Sequence, residues 1–194
     1  MKERLDKTED QIEYIVNNLR RIFNDLRHIH CPVFCLIDGP ALGGGLELAL
    51  NADIRIATSR SEMGLPETYW SLIPGGGGTQ TLARTIGTSW AKELIFTGRR
   101  VKGEEALKLG LVNHVTETVA EAEEKALNII GEMLKNAPVA IKHAKKAINW
   151  GGETDLKTGL EIERFNYERV LRTADRREGF KAFAEKRKPQ YTGN

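Results

Sequence analysis

The sequence predicts an α/β core followed by a helical C-terminal region. Three observations support this prediction: one apolar run typical of a strand buried on both faces, two glycine clusters that each lead into a helix, and a final third with helical spacing throughout. The buried strand covers 33–37 and the glycine clusters lie at 43–45 and 75–78. The predicted C-terminal helices lie near 119–135, 138–149, 155–172 and 174–187.

The other elements of the core follow from local patterns. An amphipathic helix that ends before Pro32 is predicted from apolar residues at helical spacing: Ile12, Ile15, Val16, Leu19, Ile22, Phe23 and Leu26. Asp38-Gly39-Pro40 predicts a turn, and the alternating segment Asp53–Ala57 predicts a second strand. Helices are expected from Thr79 onward and near Ser89–Phe96, and a short strand is expected over Leu111–Val115.

Composition and charge exclude several classes of function. The chain has 194 residues, of which 40% are hydrophobic, and its 29 Lys and Arg against 27 Asp and Glu give a net charge of +2. This near-neutral balance gives no electrostatic reason to expect nucleic acid or an anionic membrane surface as a partner. The charged start at Met1–Asp6 lacks a signal-peptide pattern, and no window approaches the roughly 18 apolar residues of a membrane span. A cytoplasmic location is therefore expected.

The cysteines and histidines predict neither a disulfide nor a metal site. Cys31 and Cys35 fall in one strand-like apolar run, where their Cα atoms would lie about 13 Å apart. Both are interpreted as buried thiols in a reducing compartment. The four histidines lack the neighbouring ligands that a metal site requires, so no metal is expected.

The glycine clusters do not match the known phosphate-binding patterns. A P-loop needs Lys and then Ser or Thr after its last glycine, whereas Gly45 is followed by Leu-Glu and Gly78 by Thr-Gln. Neither cluster gives G-x-G-x-x-G. A carboxylate two places beyond Gly45 would also repel a phosphate. Nucleotide phosphate binding at these turns is therefore disfavoured.

A second use of such turns is to stabilise an oxyanion. Amides exposed at a glycine turn before a helix can donate to developing negative charge. Glu47 follows the first cluster and Glu67 precedes the second, so the two carboxylates could act as general acid and base around one oxyanion. Alternatively, Glu47 only complements a helix dipole and Glu67 is an ordinary surface residue. Spacing alone leaves both interpretations open.

The same residues, with others, strongly resemble the signature blocks of the enoyl-CoA hydratase/isomerase, or crotonase, family. The resemblance extends over essentially the whole chain, and its blocks occur in the family's order. The matching blocks are Ile37–Ala49, Asp53–Ala57, Met63–Glu67, Ile73–Gln80, Leu94–Arg99, Asp175–Phe180 and Phe183–Arg187. The sequence around Leu46–Leu50 and Gly75–Gly78 is most similar to the methylglutaconyl-CoA hydratase branch.

The resemblance implies a role for each of four site residues. The Gly44 amide would be one of two donors to the thioester oxygen as an enolate forms. Glu47 would activate a water for attack at the β-carbon, and Glu67 would deliver or remove the proton at the α-carbon. Gly75 would supply an amide that positions this water. Retention of both glutamates implies a hydratase of 2-enoyl-CoA thioesters in fatty-acid or branched-chain amino-acid catabolism, without a cofactor beyond the coenzyme A of the substrate.

The resemblance also implies a fold, a CoA-binding role and an assembly. Residues 1–116 would form a crotonase-like α/β core, the ClpP/crotonase spiral of ββα units, and residues 117–194 a helical trimerisation region. Trimers would pair into hexamers in some relatives. Tyr167 and Lys186 match positions that contact CoA, although Tyr167 equally fits helix packing and Lys186 a solvated helix end.

The sequence departs from the family at its start. The family's opening strands and an early alanine-glycine-x-aspartate loop, which supplies the second oxyanion amide, have no counterpart, and Lys2-Glu3-Arg4 resembles residues directly after that loop. One explanation is a misassigned start codon at Met1, which we favour. The other is a genuinely short chain with part of its oxyanion hole missing. The second explanation leaves open an alternative function, a non-catalytic CoA-ester-binding or assembly subunit or an inactive truncated homologue.

Overall fold

The computed structural model describes residues 6–194, which form two compact units. The first unit contains the described residues up to Arg27 together with Val33–Ala126, and the second contains His28–Pro32 with Leu127–Asn194. The Lys2-Glu3-Arg4 segment discussed above lies outside the described residues. In residues 6–194, no helix has the length and apolar character needed to cross a bilayer.

Two small sheets form the β part of the first unit. Their strands are β1 (Phe34–Ile37), β2 (Pro40–Leu42), β3 (Ile54–Thr58), β4 (Glu62–Gly64), β5 (Val101–Lys102) and β6 (His114–Thr116). One sheet has the order β1-β3-β6, and all of its strands are parallel. In the register of β1 and β3, Phe34 pairs with Ile54. The other has the order β2-β4-β5, where β2 and β4 are parallel and β5 is antiparallel to β4. Parallel β1 and β3 require a crossover between them, and this crossover carries the first glycine cluster.

The helices complete both units. They are α1 (Glu9–Arg27), α2 (Gly44–Ala49), a 3-10 helix (Pro66–Trp70), α3 (Gly78–Ile86), α4 (Thr88–Thr97), α5 (Gly103–Lys108), α6 (Val119–Met133), α7 (Pro138–Gly151), α8 (Leu156–Leu171) and α9 (Ala174–Ala184). The core of the first unit is apolar and packs α2, α3 and α4 against the strands. Its fully buried side chains include Leu46, Met63, Leu65, Leu82 and Leu94. Burial of these groups is the main stabilising contribution to this unit.

The second unit is helical over its larger segment. α7 and α8 pack closely because Gly151 meets Gly159, where a Cβ atom would lie only 3.3 Å from the Gly151 carbonyl oxygen. Asp155 caps α8 by accepting a hydrogen bond from the Thr158 amide at 3.1 Å. The buried Asp175 accepts bonds from the amides of Thr192 and Gly193, which fixes the last residues against α9.

The predicted fold class is confirmed, and three local predictions need correction. The short strands β2, β4 and β5 were not expected, and Pro40, assigned to a turn, begins β2. The last strand begins at His114 rather than Leu111, because Leu111 and Val112 turn into the core and the buried Arg55 side chain donates to the Leu111 carbonyl at 2.7 Å.

The interpretation of both cysteines as buried thiols in one strand is also wrong. Cys31 is exposed and precedes β1, and only Cys35 lies in that strand, where it is half-buried. Burial raises the pKa of the Cys35 thiol, although the positive charge of Arg55 opposes that rise.

Candidate active site

The first glycine turn lies between β2 and α2 and faces Glu67. Gly43 has φ 55°, a left-handed conformation that favours glycine, and its amide donates to the Gly64 carbonyl at 3.0 Å. A Cβ atom at Gly43 would lie 2.9 Å from Oε1 of Glu67. The carboxyl group therefore packs directly on the turn, and the backbone conformation of Gly43 is the reason that the turn requires glycine.

Gly44 begins α2 and presents an amide at this turn. As the first residue of the helix, its N–H has no acceptor within the helix. Gly44 is exposed, and a Cβ atom there would have no neighbour within 4 Å. Gly43, Gly44 and Glu67 line one pocket of about 350 Å³. The pocket thus combines an available amide donor with a carboxyl group.

The second glycine turn holds Glu47, although Glu47 follows the first turn in the sequence. Glu47 is only 4% exposed, and the Gly78 amide donates to its Oε1 at 2.8 Å. A Cβ atom at Gly76 would lie 2.7 Å from Oε2 of Glu47, and one at Gly78 would lie 2.9 Å from Oε1. The absence of side chains at both glycines therefore makes the space that this buried carboxyl group occupies.

Helix α1 forms the wall behind the second turn. The ring of Phe23 lies 2.8 Å from where a Cβ atom at Gly76 would stand, and Val16 lies 2.9 Å from the equivalent point at Gly75. Arg20 donates from Nε and Nη2 to the Gly75 carbonyl at 3.2 and 3.0 Å. The apolar spacing of α1 predicts a stripe that packs on the core, and it does not indicate that the helix contacts the site. The only available signal was that Val16 and Phe23 belong to that stripe.

The four predicted site residues of the first unit fall into two neighbourhoods. Gly44 and Glu67 share the pocket, whereas Glu47 lies on the turn that contains Gly75. Leu65 joins the two neighbourhoods, because it is fully buried two residues before Glu67 and lies 2.9 Å from the Cβ position of Gly78. Each glutamate therefore packs on the glycine turn that is remote from it in sequence.

Trp70 and Leu72 also line the pocket, and sequence reasoning did not identify them. Both side chains are substantially exposed, at 55% and 47%. Trp70 follows Glu67 by three residues in the 3-10 helix that begins at Pro66. The apolar character of 69–73, in a segment that belongs to no amphipathic pattern, was the signal that could have found them.

Tyr167 and Lys186, the predicted CoA contacts, belong to the second unit. Tyr167 lies on α8 and is 62% exposed. Lys186 follows the end of α9 and is also exposed, with φ 54° in the left-handed region that a non-glycine residue seldom adopts. Their predicted role stays a prediction.

Asp38, within the signature segment, has a structural role. Arg60 forms an ion pair with its carboxyl group, and Thr58 donates to Asp38 Oδ1 at 2.8 Å. The hydrogen bond from Arg60 is the main reason why the pKa of Asp38 lies below its ordinary value. These contacts connect the end of β1 to β3. Among the described residues, no group of three or more His, Cys, Asp and Glu side chains could hold a metal ion.

Comparison with known proteins relates this geometry to one family. The sequence model of the enoyl-CoA hydratase/isomerase family matches residues 1–194. The chain is 48% identical over 194 residues to the probable enoyl-CoA hydratase 2, mitochondrial, of Arabidopsis thaliana, covering 100% of this chain and 64% of that protein. It is 49% identical over 196 residues to human methylglutaconyl-CoA hydratase, mitochondrial, covering 100% of this chain and 58% of that protein. The chain thus spans about three-fifths of the length of these relatives.

Solved structures give the same relationship. The crystal structure of enoyl-CoA hydratase from Bacillus anthracis matches with a TM-score of 0.94 and 46% identity, covering 100% of this chain and 75% of that one. An enoyl-CoA hydratase subunit from Geobacillus kaustophilus matches with a TM-score of 0.91 and 34% identity, with 100% of this chain and 74% of that one covered. The architecture of this chain is therefore similar to that of the enoyl-CoA hydratases.

Proposed function

The chain belongs to the enoyl-CoA hydratase/isomerase family and has its crotonase-like α/β fold, and we propose that it adds water across the 2,3 double bond of a 2-enoyl-CoA thioester. One observation carries the proposal: each of two glycine turns holds the carboxyl group of a different glutamate. Glu67 shares a pocket with the Gly44 amide, and Glu47 is buried on the second turn. Water addition to an enoyl thioester needs an oxyanion donor and two proton-transferring groups.

The first requirement is to stabilise negative charge on the thioester oxygen. When the water oxygen forms its bond to the β-carbon, the electron pair of the double bond moves through the α-carbon to the thioester oxygen. The Gly44 amide, at the start of α2, donates a hydrogen bond to this enolate oxygen. A preorganised backbone donor of this kind contributes about 100- to 1,000-fold in rate.

The second requirement is to move two protons. Glu47 accepts a proton from the attacking water, while Glu67 donates one to the α-carbon and completes the hydroxyacyl thioester. The Gly75 amide orients the water. Each glutamate returns to its starting protonation state by exchange with the next water, so no external acid, base or oxidant is consumed. The proposed reaction uses no cofactor, since coenzyme A is part of the substrate.

Further features of the proposal concern the whole protein. Tyr167 and Lys186 bind the CoA end of the substrate, and 117–194 form the contacts of a homotrimer or hexamer. We propose a place in fatty-acid or branched-chain amino-acid catabolism, as the family resemblance implies. A cytoplasmic location stays a prediction, because the relatives named above include mitochondrial proteins.

The test is hydration of crotonyl-CoA by the purified 194-residue chain, followed as loss of enoyl-thioester absorbance. Glu47→Gln and Glu67→Gln keep the shape of the side chain but not its proton transfer, and each should lower kcat by about 100- to 10,000-fold. Binding of the saturated ester butyryl-CoA should survive in both variants. Glu104→Gln, an exposed change in the first turn of α5, is the matched control and should leave turnover unchanged.

Two outcomes would contradict the proposal in different ways. Unchanged turnover in both glutamine variants would refute the assigned roles. A parent chain that binds butyryl-CoA but hydrates no enoyl ester would instead support the alternative, a non-catalytic CoA-ester-binding or assembly subunit.

A further inference from the structure

Trp70 lines the same pocket as Glu67, at a position where its side chain can limit the length of a bound acyl group. In a 3-10 helix, side chains three residues apart are eclipsed, and each residue rises about 2 Å. Trp70 follows Glu67 by three residues in the helix Pro66–Trp70. The indole therefore projects from the same face as the carboxyl group, about 6 Å further along the axis.

The pocket wall is divided into a polar part and an apolar part. The polar part contains Glu67 and the turn at Gly43 and Gly44. Trp70 and Leu72 belong to the apolar part and remain largely exposed within the first unit. An enoyl thioester has the same division, since its reacting atoms are polar and the rest of its acyl chain is hydrocarbon.

The backbone that carries Trp70 is bonded on both sides of this residue, and the ring of Tyr69 contacts the indole itself. Thr68 Oγ1 donates to the Ile95 carbonyl at 2.6 Å, which joins the 3-10 helix to α4. The ring of Tyr69 meets the Trp70 ring edge to face, with centroids 4.9 Å apart. After Trp70, Ser71 adopts the left-handed φ of 56°, and the Leu72 amide donates back to the Glu67 carbonyl at 3.1 Å.

These contacts have a consequence for Leu72. The reversal at Ser71 returns the chain toward Glu67, so Leu72 and Trp70 both line the pocket that the carboxyl group enters. A non-glycine residue in this conformation is maintained only where its surroundings fix it. Hydrogen bonds on both sides of Trp70 therefore define the backbone that carries the apolar wall.

We propose that Trp70, supported by Leu72, is a specificity-determining residue that limits the substrate to enoyl thioesters with short acyl chains. The inference rests on the proposed function, because it takes Glu67 to act at the α-carbon. With the α-carbon at Glu67, an acyl chain of four carbons ends before the indole. A chain of ten carbons meets the indole and must displace it.

The test compares substrates of two lengths. We expect the parent chain to have a higher kcat/KM for crotonyl-CoA than for 2-decenoyl-CoA. Trp70→Ala should raise the ratio of decenoyl to crotonyl kcat/KM about 10-fold or more, as expected when a hydrophobic pocket gains several methylene positions. Trp70→Phe, which keeps an aromatic ring of smaller size, should give an intermediate ratio.

The matched control is Trp90→Ala. Trp90 lies on α4, is 45% exposed and does not line the pocket, so this change should leave the ratio as in the parent chain. An unchanged ratio in Trp70→Ala, or an equal loss for both substrates, would overturn the inference. A change of the same size in Trp90→Ala would overturn it as well.

A binding measurement separates this inference from the proposed reaction. Dissociation constants for butyryl-CoA and decanoyl-CoA, which cannot be hydrated, should show the same preference and the same shift in Trp70→Ala. If this shift occurs in a chain that hydrates no enoyl ester, the length limit stands and the proposed reaction fails. If hydration occurs but neither ratio shifts, the length limit fails alone. A chain that binds neither ester overturns both.

Discussion

The two glycine clusters have similar compositions but need glycine for different reasons. The cluster at 43–45 needs it for backbone conformation and for open amides, since Gly43 has φ 55° and a Cβ atom at Gly44 or Gly45 would meet nothing. The cluster at 75–78 needs it mainly for space. At Gly76 a Cβ atom would lie 2.7 Å from the Glu47 carboxyl group and 2.8 Å from the Phe23 ring.

This difference extends to the two carboxyl groups. Glu67, which packs on the cluster at 43–45, lines an open pocket. Glu47, which packs on the cluster at 75–78, is almost completely buried and accepts a hydrogen bond from the Gly78 amide. One turn thus leaves its residues and the Glu67 carboxyl group open to a pocket, and the other fixes the position of a side chain. A glycine motif alone does not distinguish these uses, because both appear in the sequence as a run of consecutive glycines.

The largest effect is expected from Gly76→Ala. The φ of Gly76 is not left-handed, so the cost is steric, about 1–3 kcal/mol of unfolding free energy as in other overpacked cores. Displacement of Glu47 should also lower kcat for crotonyl-CoA by about 100-fold. Urea denaturation and initial rates provide the measurements. Combining Gly76→Ala with Phe23→Leu should recover part of the lost stability, because the smaller side chain leaves room for the new Cβ atom. If the loss of unfolding free energy in the double variant equals the sum of the two single losses, the crowding explanation is wrong.

Gly43→Ala should have the next largest effect, through conformation. An alanine held at this positive φ costs about 1–3 kcal/mol, which urea denaturation would detect. The new Cβ atom also meets Oε1 of Glu67, but this is the end of a flexible side chain that can turn aside. Glu67→Ala removes the carboxyl group that the new Cβ atom would meet and leaves the backbone at Gly43 unchanged. If Gly43→Ala costs much less unfolding free energy in the Glu67→Ala background than in the parent chain, crowding rather than conformation is the cause.

Arg20→Met should have a smaller effect that is confined to the second cluster. It removes both hydrogen bonds to the Gly75 carbonyl and should lower the unfolding free energy by about 1 kcal/mol. It should also reduce kcat, because the Gly75 turn loses its support. The control is Arg21→Met on the same helix, since Arg21 is exposed. If the two variants behave alike, the contact between α1 and the cluster does not support the site.

The smallest effect, with the opposite sign, is expected from Gly45→Ala. Gly45 is helical and exposed, its φ is not left-handed, and a Cβ atom there has open space. Alanine should therefore stabilise the chain by about 0.5 kcal/mol through a less flexible unfolded state, measured as a higher urea midpoint. A loss of more than about 1 kcal/mol would show that the first cluster is limited by space as well.

Local patterns account for the elements that could be predicted. The long helices and the strands β1 and β3 have apolar spacing that continues over several residues, and such spacing indicates the structure by itself. The strands β2, β4 and β5 are two or three residues long, too short for any pattern to develop. They exist because β4 pairs on each side with a distant strand, β2 from about 20 residues earlier in the chain and β5 from nearly 40 residues further along.

The sequence by itself determined the fold class, the family blocks and the identity of the two glutamates beside glycine turns. Only the tertiary structure decided that Glu47 packs on the turn at 75–78 and Glu67 on the turn at 43–45, and that α1 and Trp70 contribute to the site. The physical reason is the distance along the chain over which each feature is determined. Helix starts and left-handed glycines follow from neighbours a few residues away, whereas the space around a carboxyl group depends on side chains brought together from distant segments of the chain.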